Sequence, residues 1–184
     1  ARFVGKPAAL LFSTGYLANL GVLTALAARR GEVFGDKLNH ASLVDAAQLS
    51  GANFTRYRHD ELAQLEGQLA ASRAQDKVIV SDLVFSMDGD IAPVDALLDL
   101  AERFDAWLYL DDAHGFRVLN DGRGGLTERA RSSDRVIYLA TLGKAAGVAG
   151  AAVAAHENVI DWLIQKARPY IYTTASPPLL AACL

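Results

Sequence analysis

A chain of 184 residues has room for one ordinary domain with a proper core and little more. Being 52% hydrophobic and 21% charged, it has the balance of a globular rather than a disordered chain. The net charge of −3, with acids and bases interspersed, argues against nucleic acid or an anionic membrane as the main partner, since both select a basic face.

Strand-like and helix-like stretches alternate from the start. Ala8 to Phe12 reads as a strand, and Tyr16 to Arg30, rich in Leu and Ala, as a helix. A short strand, Glu32 to Gly35, leads to a helix over Ser42 to Leu49 that is capped from its polar side. Asn53 to Tyr57 is strand-like, and Asp60 is the expected N-cap of a helix running Glu61 to Ala71. The unbroken apolar run in Lys77 to Asp82 predicts a buried parallel strand. Pro93 opens an amphipathic helix, Val94 to Phe104. Trp107 to Leu110 and Val136 to Thr141 are further strands, Ala151 to Ala154 a weaker one, and Asn158 to Lys166 a helix. This alternation predicts an α/β fold, a three-layer α/β/α sandwich with a mostly parallel sheet. In such folds ligands collect at the carboxyl ends of the strands. Ser86, Asp111 to His114, and Thr141 to Lys144 each follow an apolar strand there.

The one cysteine, Cys183, has no internal partner, so a reducing, cytoplasmic setting is expected. The longest small-apolar run, Ala145 to Ala155, is too short to span a bilayer. The chain opens without methionine, and Pro178 onward reads as a helix cut short, so a fragment of a longer protein is expected.

Two segments carry the chemistry. Lys144 follows an apolar strand in a turn of small residues, Gly143, Ala145, Ala146 and Gly147, with Thr141 three positions earlier. Most lysines are simply solvated, but the tight backbone here is expected to draw the amine inward. No P-loop is present: no glycine sits five residues before Gly143, and Ala145 stands where Ser or Thr would hold magnesium. The second segment, Asp111 to His114, puts a carboxylate and an imidazole at a strand end. Side chains of adjacent extended residues point to opposite faces, so only one of Asp111 and Asp112 can face a site. Asp111 with His114 is the better pair for a ligand, and Asp112 for capping the next turn. A lysine amine, an acid for a pyridinium nitrogen and Gly or Thr groups for a phosphate are what pyridoxal 5′-phosphate (PLP) requires of a protein. Gly15 and Tyr16 open a helix whose N–H groups suit a phosphate, although the same letters describe an ordinary N-cap. Position alone leaves His40 a capping or surface residue, and Thr173 and Thr174 ambiguous.

Read together, Leu11 to Asn19, Asp36 to Ser42, Val84 to Asp90, Asp111 to Gly115, Thr141 to Ala145 and Tyr170 to Thr174 resemble the α-oxoamine synthase family of fold type I PLP enzymes. The resemblance covers the whole chain and implies a PLP-binding large domain over residues 1–184, with an N-terminal segment and a small C-terminal domain outside it. It implies that Lys144 carries the cofactor's aldehyde and later removes the amino acid's α-proton. By the same resemblance Asp111 binds the pyridinium nitrogen, His114 the ring hydroxyl, and His40 stacks on the ring. Ser86 would lie near the hydroxyl edge, and Thr141 with the backbone of Gly15 and Tyr16 would bind the phosphate. Thr173 and Thr174 would complete that site from a neighbouring subunit, which implies a homodimer. Lys37, where glycine-using members usually have Ala, and Gly150, Ala151 and Ala152 favour the members that condense L-alanine with pimeloyl-CoA, or pimeloyl carrier protein, on the route to biotin.

Arg117 and Asn120 stand where the family usually has glycine. If those positions need positive φ, Arg117 should be strained and Asn120 tolerable. Ala175 replaces a more usual Ser. Three rival readings remain: a glycine-using relative (glycine C-acetyltransferase or 5-aminolevulinate synthase), a non-catalytic PLP-binding fragment, and a metal-assisted hydrolase built on Asp111, Asp112 and His114.

Overall fold

Seven strands form one sheet in the order β1-β7-β6-β5-β4-β2-β3. The structure is a computed structural model and describes residues 1–27 and 29–183. The strands are β1 (Ala8–Phe12), β2 (Glu32–Asp36), β3 (Asn53–Tyr57), β4 (Lys77–Asp82), β5 (Trp107–Asp111), β6 (Val136–Thr141) and β7 (Ala151–Ala155). Only β7 runs against its neighbours, antiparallel to both β1 and β6; every other pairing is parallel.

The helices are α1 (Gly15–Leu26), α2 (Ala41–Ser50), α3 (Leu62–Ala71), α4 (Val94–Arg103), α5 (Glu128–Ser132), α6 (Glu157–Lys166), α7 (Arg168–Ile171) and α8 (Pro178–Ala182). Strand alternation sorts the core into two halves. Ile79, Leu108, Leu110 and Tyr138 face α3, α4 and α5. Val78, Val80, Tyr109 and Ile137 face α1, α2 and α6. The three-layer sandwich expected from the alternating pattern is therefore what forms. The central strands are apolar on both faces because both faces are covered.

Element boundaries differ from expectation where a long-range bond intervenes. Asp60 does not cap α3. Its backbone N–H donates to Asp36 Oδ2, which holds Asp60 at φ 56°, and the helix starts beyond Glu61 with no side-chain cap. Helix α1 stops at Leu26 rather than Arg30, and Ala28, within the expected span, lies outside the described residues. Helices α5 and α7, of five and four residues, are too short to show periodicity; α5 is announced only by its cap, Thr127, whose side chain accepts from Ala130 N.

Candidate functional site

The parallel strands end together, and their last residues, Asp36, Asp82, Asp111 and Thr141, line one edge of the sheet. Helices α1 and α2 start at the same edge on one face. Asp82 and Asp111 are partners in register, so two buried carboxylates sit on neighbouring strands about 4.8 Å apart.

Asp111 is 5% exposed and accepts two hydrogen bonds, from Asn19 Nδ2 at 2.8 Å and from the Ala113 N–H at 3.1 Å. Burial raises its pKa, and these donors work against that rise, as does the charge of Lys144. Asp112 turns to the opposite face, where it accepts from the Tyr138 hydroxyl at 2.6 Å and the Gly125 N–H at 2.8 Å. Asp111 and Asp112 therefore cannot converge on one ion with His114. Among the described residues no group of three or more His, Cys, Asp or Glu is placed to hold a metal.

Lys144 lies in the connection between β6 and β7, which is closed by backbone bonds from Leu142 to Gly150, Val148 to Leu142 and Gly147 to Lys144. Its Nζ is 2.8 Å from His114 Nε2. The side chain is exposed, so the chain does not bury the amine as expected; it aims it at a half-buried imidazole instead. Burial, and then the charge of Lys144, lowers the pKa of His114, which favours a neutral ring facing the amine through Nε2.

His40 is the N-cap of α2, its Nδ1 accepting from the Ser42 N–H at 3.2 Å, and its own backbone N–H donates to Asp82 Oδ2 at 3.0 Å. Capping and nearness to the strand-end acids thus hold together. Thr14 caps α1, accepting from the Leu17 N–H, which leaves Gly15 as the first helical residue. A Cβ at Gly15 would lie 2.9 Å from Thr141 Oγ1, so the bare Cα opens the space that Thr141 and the helix N-terminus share. The Tyr16 hydroxyl reaches across to Asp45 Oδ2 at 2.8 Å. Thr173 Oγ1 comes within 3.4 Å of Ser13 Oγ, and Thr174 is exposed beside it on the rim of a groove of about 590 Å³. Ser86 lies on an exposed turn between Phe85 and Asp90, and among the described residues no hydrogen bond ties it to the cluster.

Asn19, Ser42, Tyr109 and Asp82 were not singled out from sequence. Asn19 carries a readable signal, a polar residue amid the apolar stretch of α1, and Asp82 a second, an acid closing an apolar strand as Asp111 does.

The donor set fits PLP. An amine and an imidazole stand within hydrogen-bond reach, a doubly supported carboxylate lies behind them, and a side-chain-free helix start faces a threonine hydroxyl. Residues of these types at the carboxyl edge of a mostly parallel sheet are what PLP-binding α/β enzymes present to the cofactor. The chain belongs to the family described as aminotransferase class I and II, whose sequence model matches residues 1–184. It is 82% identical over 184 residues to an 8-amino-7-oxononanoate synthase of Thiobacillus denitrificans, covering 100% of this chain and 48% of that protein. Among solved structures, the 8-amino-7-oxononanoate synthase of Francisella tularensis is 37% identical with a TM-score of 0.85, covering 100% of this chain and 53% of that one. A serine palmitoyltransferase variant from S. paucimobilis, with a bound PLP–myriocin aldimine, is 31% identical with a TM-score of 0.91, covering 99% and 46%. The chain spans about half the length of the curated relatives it matches.

Proposed function

We propose that this chain is the cofactor-binding large domain of a PLP-dependent acyltransferase. The reaction we assign joins L-alanine to pimeloyl-CoA, or to the pimeloyl carrier protein, giving 8-amino-7-oxononanoate, the free thiol and carbon dioxide for biotin synthesis. The observation that carries the reading is the 2.8 Å contact between Lys144 Nζ and His114 Nε2 beside buried Asp111. The names of the relatives support the substrate assignment.

Lys144 would hold the cofactor by its aldehyde carbon, Asp111 by the ring nitrogen and His114 by the ring hydroxyl. His40 would cover the ring face, with Ser86 near its hydroxyl edge. Thr141 and the first N–H groups of α1, from Gly15 and Tyr16, would take the phosphate. When bound, PLP supplies a sink for the electron pair left on the α-carbon of the amino acid. Lys144 Nζ, once free of the cofactor, would take the α-proton, and His114 Nε2, 2.8 Å away, would keep that nitrogen aimed. Positioned proton transfer of this kind is worth roughly 10²–10⁴-fold in rate. Asp111, held by two donors that favour its carboxylate form, would stabilise positive charge at the ring nitrogen.

A homodimer is part of the proposal, with Thr173 and Thr174 of one copy completing the phosphate site of the other. Exposed Leu11, Ile171, Tyr172 and Leu179 around the groove support a covered surface there. A cytoplasmic location is also part of it, supported by a lone cysteine with no second one to pair with.

The test is a visible absorption spectrum of the full chain with PLP, followed by borohydride trapping and peptide mapping, with solution mass read on the same sample. The expected outcome is a yellow adduct mapped to Lys144, a dimer mass and a spectral change with L-alanine exceeding that with glycine. A folded protein that takes up no PLP, or traps it at another lysine, would sink the assignment. A response to glycine alone would move it to the glycine-using relatives.

A further inference from the structure

Asp111 and His40 approach the same space from different elements, β5 and the start of α2, yet a continuous chain of hydrogen bonds joins them. The direction of every bond in that chain follows from one donor whose role is not open to choice. The Ser42 backbone N–H can only donate, and its acceptor at 3.2 Å is His40 Nδ1. Nδ1 therefore carries no proton. The Ser42 hydroxyl, 2.7 Å from the same nitrogen, must donate to it too, the two donors sharing one lone pair. With its proton committed, Ser42 Oγ accepts from Asn19 Nδ2 at 2.8 Å. The other Asn19 N–H goes to Asp111 Oδ2 at 2.8 Å, and Asn19 Oδ1 accepts from the Tyr109 hydroxyl at 2.6 Å. Asn19 is 1% exposed, and both its N–H groups and its oxygen are used. Turned over, its amide would set an oxygen against the Asp111 carboxylate and leave the Tyr109 hydroxyl facing an NH₂, so only one orientation satisfies all partners.

We propose that Asn19 and Ser42 are positioning residues that lock His40 as the neutral tautomer with its proton on Nε2 and hold Asp111 as a hydrogen-bond acceptor in a single orientation. The proposal deepens the function above and rests on it for what His40 and Asp111 touch. A protonated imidazole over the ring face would oppose the positive charge that Asp111 stabilises at the ring nitrogen. One buried amide removes that conflict by serving both groups: it donates to Asp111 and, through Ser42, keeps a donor aimed at His40 Nδ1. His40 in turn presents Nε2–H as a fixed donor.

The test reads the tautomer by nitrogen-15 NMR on the full chain labelled at histidine, with His40→Gln identifying the His40 signals. Expected at neutral pH is an unprotonated Nδ1 and a protonated Nε2. Ser42→Ala keeps the backbone N–H and removes the hydroxyl, and it should raise the ratio of Nδ1–H to Nε2–H roughly tenfold, the effect of losing one such bond. Asn19→Ala should move the ratio in the same direction by freeing the Ser42 hydroxyl to accept, and Ser42→Thr should restore the wild-type ratio. A wild-type His40 protonated at Nδ1, or at both nitrogens, overturns the proposal by itself. So does a ratio that neither Ser42→Ala nor Asn19→Ala changes. Should Ser42→Ala fail to fold, Ser42→Cys, a much weaker donor of similar size, is judged by the same criterion. The tautomer is read without cofactor as well as with it. Failure to bind PLP would therefore overturn the proposed function and leave this relay standing.

Discussion

Arg117 is the residue at which a local rule is broken most plainly. It sits at φ 66° in the loop after β5, within a run that also holds Asn120 at 49° and Asp121 at 55°. Left-handed backbone costs an L-residue roughly 1–2 kcal/mol unless it is Asn, Asp or Gly. Two of the three are thus cheap, and Arg117 is not. Its guanidinium lies 4.7 Å from the Phe3 ring centroid and 5.9 Å from that of Phe116, which offsets part of the cost by about 0.5–1 kcal/mol per contact. Arg117→Ala keeps the strain and loses the stacking, whereas Arg117→Gly loses the stacking and the strain. The Gly variant should therefore be more stable than the Ala variant by about 1 kcal/mol in urea unfolding; equal stabilities would mean the loop is not strained. This strain was foreseen only through the resemblance, whose members usually have glycine at this position; the residue itself does not announce a positive φ. The partners of Asn19 were not foreseen at all, because Ser42, Tyr109 and Asp111 lie 23, 90 and 92 positions away. A single sequence marks a polar residue in an apolar helix without naming what it meets.

The β6–β7 hairpin is the element that places Lys144, and it is pinned at its far side by Gly150. That residue has φ 97°, and a Cβ there would approach the Phe12 carbonyl oxygen to 2.9 Å, where β1 pairs with β7. Backbone cannot yield as a side-chain tip can, so Gly150→Ala combines a disfavoured φ with a collision. A cost of about 2 kcal/mol is expected, lowering Tm by roughly 4–8 °C. The shift should be accompanied by weaker PLP uptake, because the turn from Leu142 to Gly150 carries Lys144. An unchanged Tm would show that β1 can slide away from β7. At this scale the reading from sequence was uneven. Strands β4, β5 and β6 were legible from unbroken apolar runs, since covering on both faces writes itself into composition. The start of α3 was misplaced because a bond from Asp60 to Asp36, across 24 positions, overrides the local capping signal.

Across the whole molecule, a parallel sheet delivers its strand ends to one edge, and here that edge is acidic. Two carboxylates on adjacent buried strands cannot both ionise freely near neutrality. Among the described residues Asp111 accepts from two donors and Asp82 from one, the His40 N–H, so the hydrogen bonds favour the carboxylate form at Asp111 over Asp82. Burial, and then the nearby Asp111, pushes the Asp82 pKa up to about 8. Asp112, on the other face, rises to about 6, chiefly through burial. Each holds a proton when folded that the unfolded chain, with a value near 3.8, has already released. The stability these groups contribute is complete below about pH 4 and is lost as pH rises through 6 for Asp112 and 8 for Asp82. Lys6 works in the other direction. It is buried against the Ala130 and Ser133 carbonyls at 2.9 and 2.7 Å, and burial lowers its pKa from 10.5 to about 8. Its contribution is present above about pH 10.5 and is lost as pH falls through 8. The cofactor-free protein should therefore be least stable near pH 8 across the range from 6 to 10.5. Asp82→Asn keeps an oxygen for the His40 N–H and removes the ionisation. It should raise the unfolding free energy at pH 8 by several kcal/mol while leaving that at pH 4 nearly unchanged. An equal effect at both pH values would mean that Asp82 acts through packing, and that the acidic edge places no constraint on which carboxylate faces the ring.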